Sequence, residues 1–219
     1  MLDFGWLSDG LGALASGVAT TLGLVLVVAV LGTVLSVAGA AARRGRNRLM
    51  RQAVAVYVEL IRNTPFLVQL FFVFFGLPSL GIRLGNLVAA ILAMTLNMTA
   101  YGIEIVRAGL EAVPPGQWEG GAALGLSPYR VFVKIVLPQA MRVIFPALSG
   151  QIIIIMLESA VVSQIAVRDL TYEADMLQAR TFRAFETYLV VTLIYLGLAT
   201  LMRRSMQAGA ARWLFGGRA

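Results

Sequence analysis

Five long apolar runs, separated by short charged segments, organise the sequence. They cover residues 10–42, 63–82, 84–103, 142–167 and 187–202. A membrane-spanning helix needs about 20 mostly apolar residues, because the hydrocarbon core is about 30 Å thick and each helical residue rises about 1.5 Å. We therefore predict an all-α integral membrane protein with five transmembrane helices in a single domain, residues 1–219. We expect the third helix to extend past its flanking charges and the fifth to extend backwards through Phe185 and Phe182.

Basic residues cluster in alternate segments between these runs and predict the orientation of the chain. They are Arg43, Arg44, Arg46, Arg48 and Arg51 after the first run, Arg130, Lys134 and Arg142 after the third, and Arg203, Arg204, Arg212 and Arg218 after the fifth. Cytoplasmic loops carry an excess of Lys and Arg, so these three segments should be cytoplasmic. The N-terminus would then lie outside and the C-terminus inside.

Composition narrows the chemistry that the chain can perform. The sequence is 59% hydrophobic with no Cys and no His, and its mean hydropathy is +0.82. Disulfides, thiolate metal sites and histidine catalysis are therefore not expected, and we predict no catalytic residues and no metal site. The excess of 18 Lys and Arg over 11 Asp and Glu fits cytoplasmic loops beside membrane lipid, and we expect no nucleic-acid partner.

The segment between the third and fourth runs, residues 113–138, is too polar for a bilayer core. Pro115 suits a first helical turn, residues 117–124 can form a short helix, and Gly125 can take the left-handed position that ends it. Ser127 can cap a second helix that begins at Pro128. We expect a helix, tight turn and helix outside the membrane, with these apolar side chains presented: Trp118, Leu124, Leu126 and Tyr129. A plain interfacial connector is the alternative.

The spacing in this segment carries a family resemblance. Glu119, Gly125, Ile135, Leu137 and Pro138 fit the pattern E-A-A-x3-G-x9-I-x-L-P, which resembles the EAA loop of binding-protein-dependent ABC importer permeases. In that family the loop forms the coupling helix, which docks on the ATP-binding subunit. The resemblance implies a coupling role for Gln117, Glu119, Gly120, Gly121, Gly125, Leu137 and Pro138. Glycines replace both alanines of the pattern, which lowers helix propensity by about 1 kcal/mol each.

The resemblance extends over nearly the whole chain. The stretches "YVELIRNTPFLVQLFFVFFGLP" and "LNMTAYGIEIVRAGLEAVPPGQWE" are similar to the polar amino-acid branch of these permeases, the histidine, arginine and glutamine type. It implies the fold of an ABC type I importer in a bacterial inner membrane, with a periplasmic N-terminus. The implied partners are two ATP-binding subunits, a second permease subunit (identical or related), a periplasmic substrate-binding protein and a polar amino acid.

The chain also lacks the phosphate-binding motif of an ATPase. That motif, G-x-x-x-x-G-K-[ST], needs a lysine after glycine, whereas the one lysine, Lys134, follows Val133. ATP and Mg²⁺ would therefore be bound by the partner ATPase subunits, and no cofactor is expected in this chain.

Glu158 is the acidic residue inside the fourth run, where an unpaired charge is costly. The family pattern at this place resembles L-K-D-T-S-L, and this chain has Leu157, Glu158 and Ser159, so the acid is kept and the lysine is lost. A lone acid favours a cationic or zwitterionic amino acid, with Glu158 and Ser159 on the substrate path. The alternative is that Glu158 lies near the outer boundary and pairs with Arg168.

Other polar residues in the apolar runs are weaker candidates for the path. Asn97 lies in the third run, and Gln151 precedes Glu158 by seven residues on about the same helical face. Thr64 precedes Pro65, which predicts a break in the second helix. Each could instead join helices or satisfy the backbone.

Two rival functions remain at the level of sequence. An ATP-independent amino-acid or ion carrier, or a channel, would use Glu158 as its charged site. A membrane enzyme is disfavoured, because the chain offers no Cys, no His and no clustered carboxylate pair.

Overall fold

The structure is a computed structural model that describes residue 5 and residues 7–213. This described part is helical, without a strand. Its eight helices are α1 Leu7–Arg44, α2 Arg48–Arg62, α3 Phe66–Ser79, α4 Asn86–Glu111, α5 Pro115–Ala123, α6 Pro128–Ile165, α7 Leu170–Thr181 and α8 Ala184–Trp213. Single π-helical turns interrupt α3 at Phe72–Gly76 and α6 at Phe132–Val136, and α6 ends in a 3₁₀ segment, Ser159–Ile165.

Four of these helices, α1, α4, α6 and α8, are long and apolar enough to cross a bilayer by themselves. The predicted second span differs, because α2 and α3 diverge by 111° at a short break beside Pro65. Proline lacks an N–H and pushes the preceding residue away from helical geometry, which accounts for the break. The pair supplies a fifth span only if both of its arms are counted as one.

The arginine-rich segment after α1 is mostly helical rather than a loop. The side chain of Asn47 accepts hydrogen bonds from the backbone N–H groups of Leu49, at 3.0 Å, and Met50, at 3.2 Å, and so caps α2. Charged and apolar residues alternate along α2 with helical spacing, so a search for uncharged runs does not find it.

Helix α4 forms the centre of the described structure and packs closely on α1. Gly32 and Gly39 of α1 leave room for Met98 and Ile103 of α4, and a methyl group on either glycine would overlap those side chains. Both Met98 and Ile103 are buried. Small residues at helix crossings allow this close approach in membranes.

Helix α7 was not anticipated as a separate element. The carboxylate of Asp169 caps it by accepting a hydrogen bond from the Tyr172 N–H at 2.9 Å. Its first turn lies against α1, where the Leu170 N–H donates to the Thr21 hydroxyl at 3.2 Å. A Cβ on Gly17 would stand 2.8 Å from the Leu170 Cα. Burial raises the pKa of Asp169 to about 6, against hydrogen bonds that lower it.

Two predicted boundaries were wrong. Phe182 adopts a left-handed conformation, with φ of 56°, and ends α7, so α8 begins at Ala184 and does not extend back through Phe182. The fourth span begins at Pro128 rather than near Arg142, because the second helix of the 113–138 segment continues into it. The predicted extension of the third span is confirmed, since α4 reaches Glu111.

Candidate functional site

A closed turn joins α5 to α6. Gly125 has a φ of 73°, as predicted for a left-handed helix end. Its N–H donates to the carbonyl of Ala122 at 2.9 Å, and the Leu126 N–H donates to the carbonyl of Gly121 at 3.2 Å. This pair of bonds is the Schellman motif, which satisfies carbonyls that a helix end leaves free. We name residues 113–138 the α5–α6 hairpin.

The second arm of the α5–α6 hairpin is the first part of the long helix α6. Ser127 occupies the capping position before Pro128, as predicted, but its side chain makes no capping hydrogen bond. After the π-helical turn, Leu137 is half-buried and Pro138 is exposed in the first turn of the following α-helical stretch. The helix then runs to Glu158 without a loop.

The α5–α6 hairpin has one exposed face and one packed face. Gln117, Glu119, Leu124 and Tyr129 are exposed, the last two at 78% and 76%. Trp118 and Leu126 instead pack on a buried cluster formed with α1, α4 and α6. The expectation that all four apolar side chains are presented was therefore wrong for these two, because Trp118 stacks on Phe132 with ring centroids 6.2 Å apart.

The two glycines that replace the family alanines have different surroundings. A Cβ on Gly121 would lie 2.8 Å and 2.9 Å from the two Cγ atoms of Val131 and 3.0 Å from Ile135 Cδ1. A Cβ on Gly120 would have no atom within 4 Å among the described residues. Packing thus explains the glycine at position 121, and nothing in the structure explains the one at position 120.

Gln139, which sequence reasoning missed, ties the two arms together. Its side-chain amide donates to the side-chain Oε1 of Gln117 at 3.1 Å and to the backbone carbonyl of Ile135 at 2.8 Å. The predicted coupling residue Gln117 is therefore held by α6. The available signal was a polar residue directly after Leu137 and Pro138 of the motif.

A charged cluster surrounds Glu104 near the end of α4. Arg107 bonds Glu104 at 2.8 Å and Glu111 at 2.6 Å. Arg43 of α1 forms an ion pair with the same Glu104, and Arg62 of α2 lies 3.9 Å from it. Glu104 thus connects three helices.

The break beside Pro65 is stabilised by Gln69. Its side-chain N–H₂ donates to the carbonyls of Ile61 at 2.7 Å and Thr64 at 2.9 Å. These carbonyls lie at the end of α2, where intrahelical donors are missing. The Gln69 oxygen accepts a hydrogen bond from Asn97 at 3.1 Å, so two predicted path residues meet through a residue that sequence reasoning missed. Gln69 is the one polar side chain in residues 66–78, which was the available signal.

Asn97 keeps one polar atom without a partner in the structure described. Its Oδ1 is buried and accepts no hydrogen bond, as is also true of the hydroxyls of Thr95 and Thr99 on the same helix. Buried polar groups are usually satisfied. The middle of α4 therefore holds three buried polar atoms without a hydrogen-bond partner among the described residues.

Glu158 lies at the end of the α-helical part of α6 and is half-buried. Its Oε2 is buried and without a hydrogen-bond partner among the residues described. The alternative pairing with Arg168 was wrong, because the Arg168 side chain bonds Glu173 at 2.9 Å. Gln151 lies on the same helix, seven residues or about two turns before Glu158, and is buried.

The hydroxyl groups of the two remaining predicted path residues, Ser159 and Thr64, already donate hydrogen bonds to backbone carbonyls. Ser159 is fully buried and its hydroxyl donates to the carbonyl of Met156 at 2.7 Å, so it is satisfied by its own helix. Thr64 is exposed at the helix break, where its hydroxyl donates to the Leu60 carbonyl at 2.9 Å. Within the described residues, hydrogen bonds join Thr64 to Asn97 through Gln69, and none joins either of them to Glu158.

Comparisons with known proteins place these features in context. The chain is 34% identical to a probable amino-acid ABC transporter permease protein of Sinorhizobium fredii, over 97% of this chain and 92% of that protein. It is 36% identical to the L-cystine transport system permease protein of Bacillus subtilis, over 83% and 78%. It is 35% identical to the arginine ABC transporter permease protein of Haemophilus influenzae, over 89% and 90%.

Solved structures show the same fold. A crystal structure of an amino acid ABC transporter with histidines superposes with a TM-score of 0.90 at 32% identity, over 97% of this chain and 99% of that one. Inward-facing structures of a methionine ABC transporter superpose at 0.70 with 20% identity and so share the fold alone. Residues 32–214 match the family described as "binding-protein-dependent transport system inner membrane component". The chain belongs to that family.

Proposed function

We propose that this chain is the membrane-spanning permease subunit of an ABC importer that moves a polar, cationic or zwitterionic amino acid into the cell. The proposal is supported by family membership and by relatives whose names specify amino-acid or arginine transport. These relatives support an ATP-driven importer rather than the ATP-independent carrier or channel.

The observation that carries the proposal is the α5–α6 hairpin. It presents Glu119, Leu124 and Tyr129 on one exposed face, and its turn is closed by two backbone hydrogen bonds at Gly125. A rigid, exposed surface of mixed chemistry suits a partner protein. Two ATP-binding subunits, which would hold ATP and Mg²⁺, are the partners proposed for this face. Of the remaining coupling residues, Gly121 and Leu137 would support the face from behind, whereas Gly120 and Pro138 are exposed.

The arrangement in the membrane follows from charge. The α5–α6 hairpin and the arginine-rich end of α1 would be cytoplasmic, and the N-terminus periplasmic. In this arrangement α2 and α3 together count as the second of five spans of a bacterial inner-membrane protein. A second permease subunit, identical or related, would complete the path, and a periplasmic binding protein would deliver the amino acid.

We place the substrate path beside Glu158. Its partly buried carboxylate has an unpartnered oxygen and no ion pair in the described part of the chain, so an ammonium or guanidinium group would supply the missing charge. Asn97 on α4 and Gln151, seven residues earlier on α6 itself, offer further polar atoms. Thr64 and Ser159 would contribute only after a rearrangement, because their hydroxyls are engaged.

Co-purification tests the assembly. The tagged full chain would be purified from its native membrane and its stoichiometric partners identified by mass spectrometry. An ATPase in equal amount supports the proposal, and the presence of one or two permease sequences decides between a homodimer and a heterodimer. A chain that purifies alone and transports solute in ATP-free liposomes would refute it.

A paired substitution tests the path. Glu158→Gln should lower uptake of a cationic amino acid by at least tenfold while the ATPase still co-purifies. Glu111→Gln, which removes an acid from the exposed end of α4, is the matched control and should leave uptake within about twofold. Equal uptake by both variants would remove Glu158 from the path.

A further inference from the structure

An apolar groove lies beside the α5–α6 hairpin and away from the polar residues of the proposed path. Its volume is about 560 Å³, which lies within the range of about 300–1,000 Å³ that is usual for ligand sites. The groove lies between α1, α4, α6 and Trp118. Val37, Val106, Leu110 and Leu148 are among the side chains that line it. We name it the Arg44 groove, after the arginine at its charged end.

The α1 wall of the Arg44 groove is about as long as one leaflet of a bilayer. The lining residues on α1 extend from Thr33 to Arg44, and those on α6 from Phe132 to Leu148. Eleven residues separate the ends of the α1 wall, which corresponds to about 16 Å of helix. Half of a hydrocarbon core about 30 Å thick is nearly the same distance. The α1 wall is therefore long enough to line an extended acyl chain in a single leaflet.

The charged end of the groove carries an arginine without a partner. Arg44 is exposed, and no acidic side chain in the described part of the chain lies within ion-pair distance of it. Its neighbour Arg43, by contrast, is paired with Glu104. Glu119 shares an adjoining cavity with Arg44 but forms no ion pair with it. Trp118 lies at the same end of the groove, and tryptophan is enriched in the headgroup layer of bilayers.

We propose that the Arg44 groove binds an anionic phospholipid, with one acyl chain along α1 and α6 and the phosphate on Arg44. The assignment of this lipid to the cytoplasmic leaflet rests on the proposed function. Water is a poor occupant, because it requires several polar partners that the lining does not offer. Bilayer lipid is the apolar molecule at highest concentration beside a membrane helix, and its phosphate complements the free guanidinium.

Lipid at this place would contact the packed face of the α5–α6 hairpin through Trp118. Its acyl chain would fill the space between α1 and residues 132–148 of α6, which the protein leaves open. The lipid would thereby support the hairpin from the side opposite to the exposed residues Leu124 and Tyr129.

Two matched pairs of variants test the proposal in the full chain, purified with its partners into nanodiscs of equal phosphatidylglycerol and phosphatidylethanolamine. Native mass spectrometry would count the retained lipids. Arg44→Gln should lower retained phosphatidylglycerol about fivefold, the effect of one interfacial basic residue, whereas Arg46→Gln outside the lining should not. Val37→Trp fills the groove and should lower the retention of both phosphatidylglycerol and phosphatidylethanolamine. Val34→Trp, on the exposed face of α1, should leave the retention of both lipids unchanged.

Three results would overturn the proposal: equal lipid retention by the Arg44 and Arg46 variants, equal retention by the Val37 and Val34 variants, or capture of a protein by a photo-crosslinker at Val37. The last result would assign the groove to an ATPase or to a second permease. Co-purification of the ATPase is scored in the same samples, so unchanged lipid retention together with a retained ATPase refutes the groove and leaves the importer intact.

Discussion

The packing difference between Gly120 and Gly121 gives a sharp test of the α5–α6 hairpin. Replacing Gly by Ala inside a helix gains up to about 1 kcal/mol from backbone entropy. At position 120 the new methyl group meets open space, so Gly120→Ala should retain this gain. At position 121 the methyl group would stand 2.8 Å from a Val131 methyl group, and overpacking of this kind costs about 1–3 kcal/mol.

Amide hydrogen exchange on α5, in the full chain reconstituted in nanodiscs, measures both effects. Gly120→Ala should slow exchange by up to about fivefold, because each 1.4 kcal/mol of local stability corresponds to about a tenfold change in the opening equilibrium. Gly121→Ala should leave exchange unchanged or accelerate it by up to about thirtyfold. This range results from subtracting the gain in helix propensity, about 1 kcal/mol, from the cost of overpacking, about 1–3 kcal/mol.

A double substitution identifies the cause. Val131→Ala should remove the overlap, so that Gly121→Ala becomes less harmful in the Val131→Ala background than in the native one. If the two glycine variants slow exchange equally, the proposed contact between α5 and α6 is absent and the packed face of the hairpin has been assigned wrongly.

Three further predictions concern stability in nanodiscs. Glu104→Gln leaves three arginines without their shared acid and should lower the free energy of unfolding by about 1–3 kcal/mol, whereas Glu111→Gln should lower it by no more than about 0.5 kcal/mol. Equal melting temperatures for the two variants would contradict this. Gly17→Ala drives a methyl group into the backbone of α7 and should lower the melting temperature, whereas Gly23→Ala meets open space and should not. Because the pKa of Asp169 is raised from 3.8 to about 6, its contribution to stability is fully present below pH 3.8 and is lost as the pH rises through 6. Asp169→Asn should therefore be more stable than wild type at pH 7, by up to about 3 kcal/mol, and equal to it near pH 4; a constant difference across this range would refute the assignment.

The sequence predicted most of the spans because the thickness of a bilayer fixes their length. It missed α2 as a helix, since charged residues on one face interrupt the apolar run without interrupting the helix. It also predicted the left-handed Gly125, because that conformation depends on local chemistry. Which side of the hairpin faces the protein could not be predicted, because the burial of Trp118 depends on contacts with α1 and α4.

Some of the polar interactions could also be predicted from the sequence, and others could not. Gln69 was available to sequence reasoning as the isolated polar residue of an apolar run. The convergence of Arg43 on Glu104 was not, since 61 residues separate them and only the packing of α1 on α4 brings them together. The engaged hydroxyl of Ser159 likewise depends on the local geometry at the end of α6.

The continuity of α6 has a mechanical consequence. Pro128, beside the turn of the α5–α6 hairpin, and Glu158, at the proposed path, belong to one helical element, and about 45 Å of helix separates them. A tilt of about 10° around its middle would move each end by about 4 Å in opposite directions. The helix acts as a lever whose two arms are of similar length, so a displacement of the hairpin reaches the acid without crossing a flexible loop.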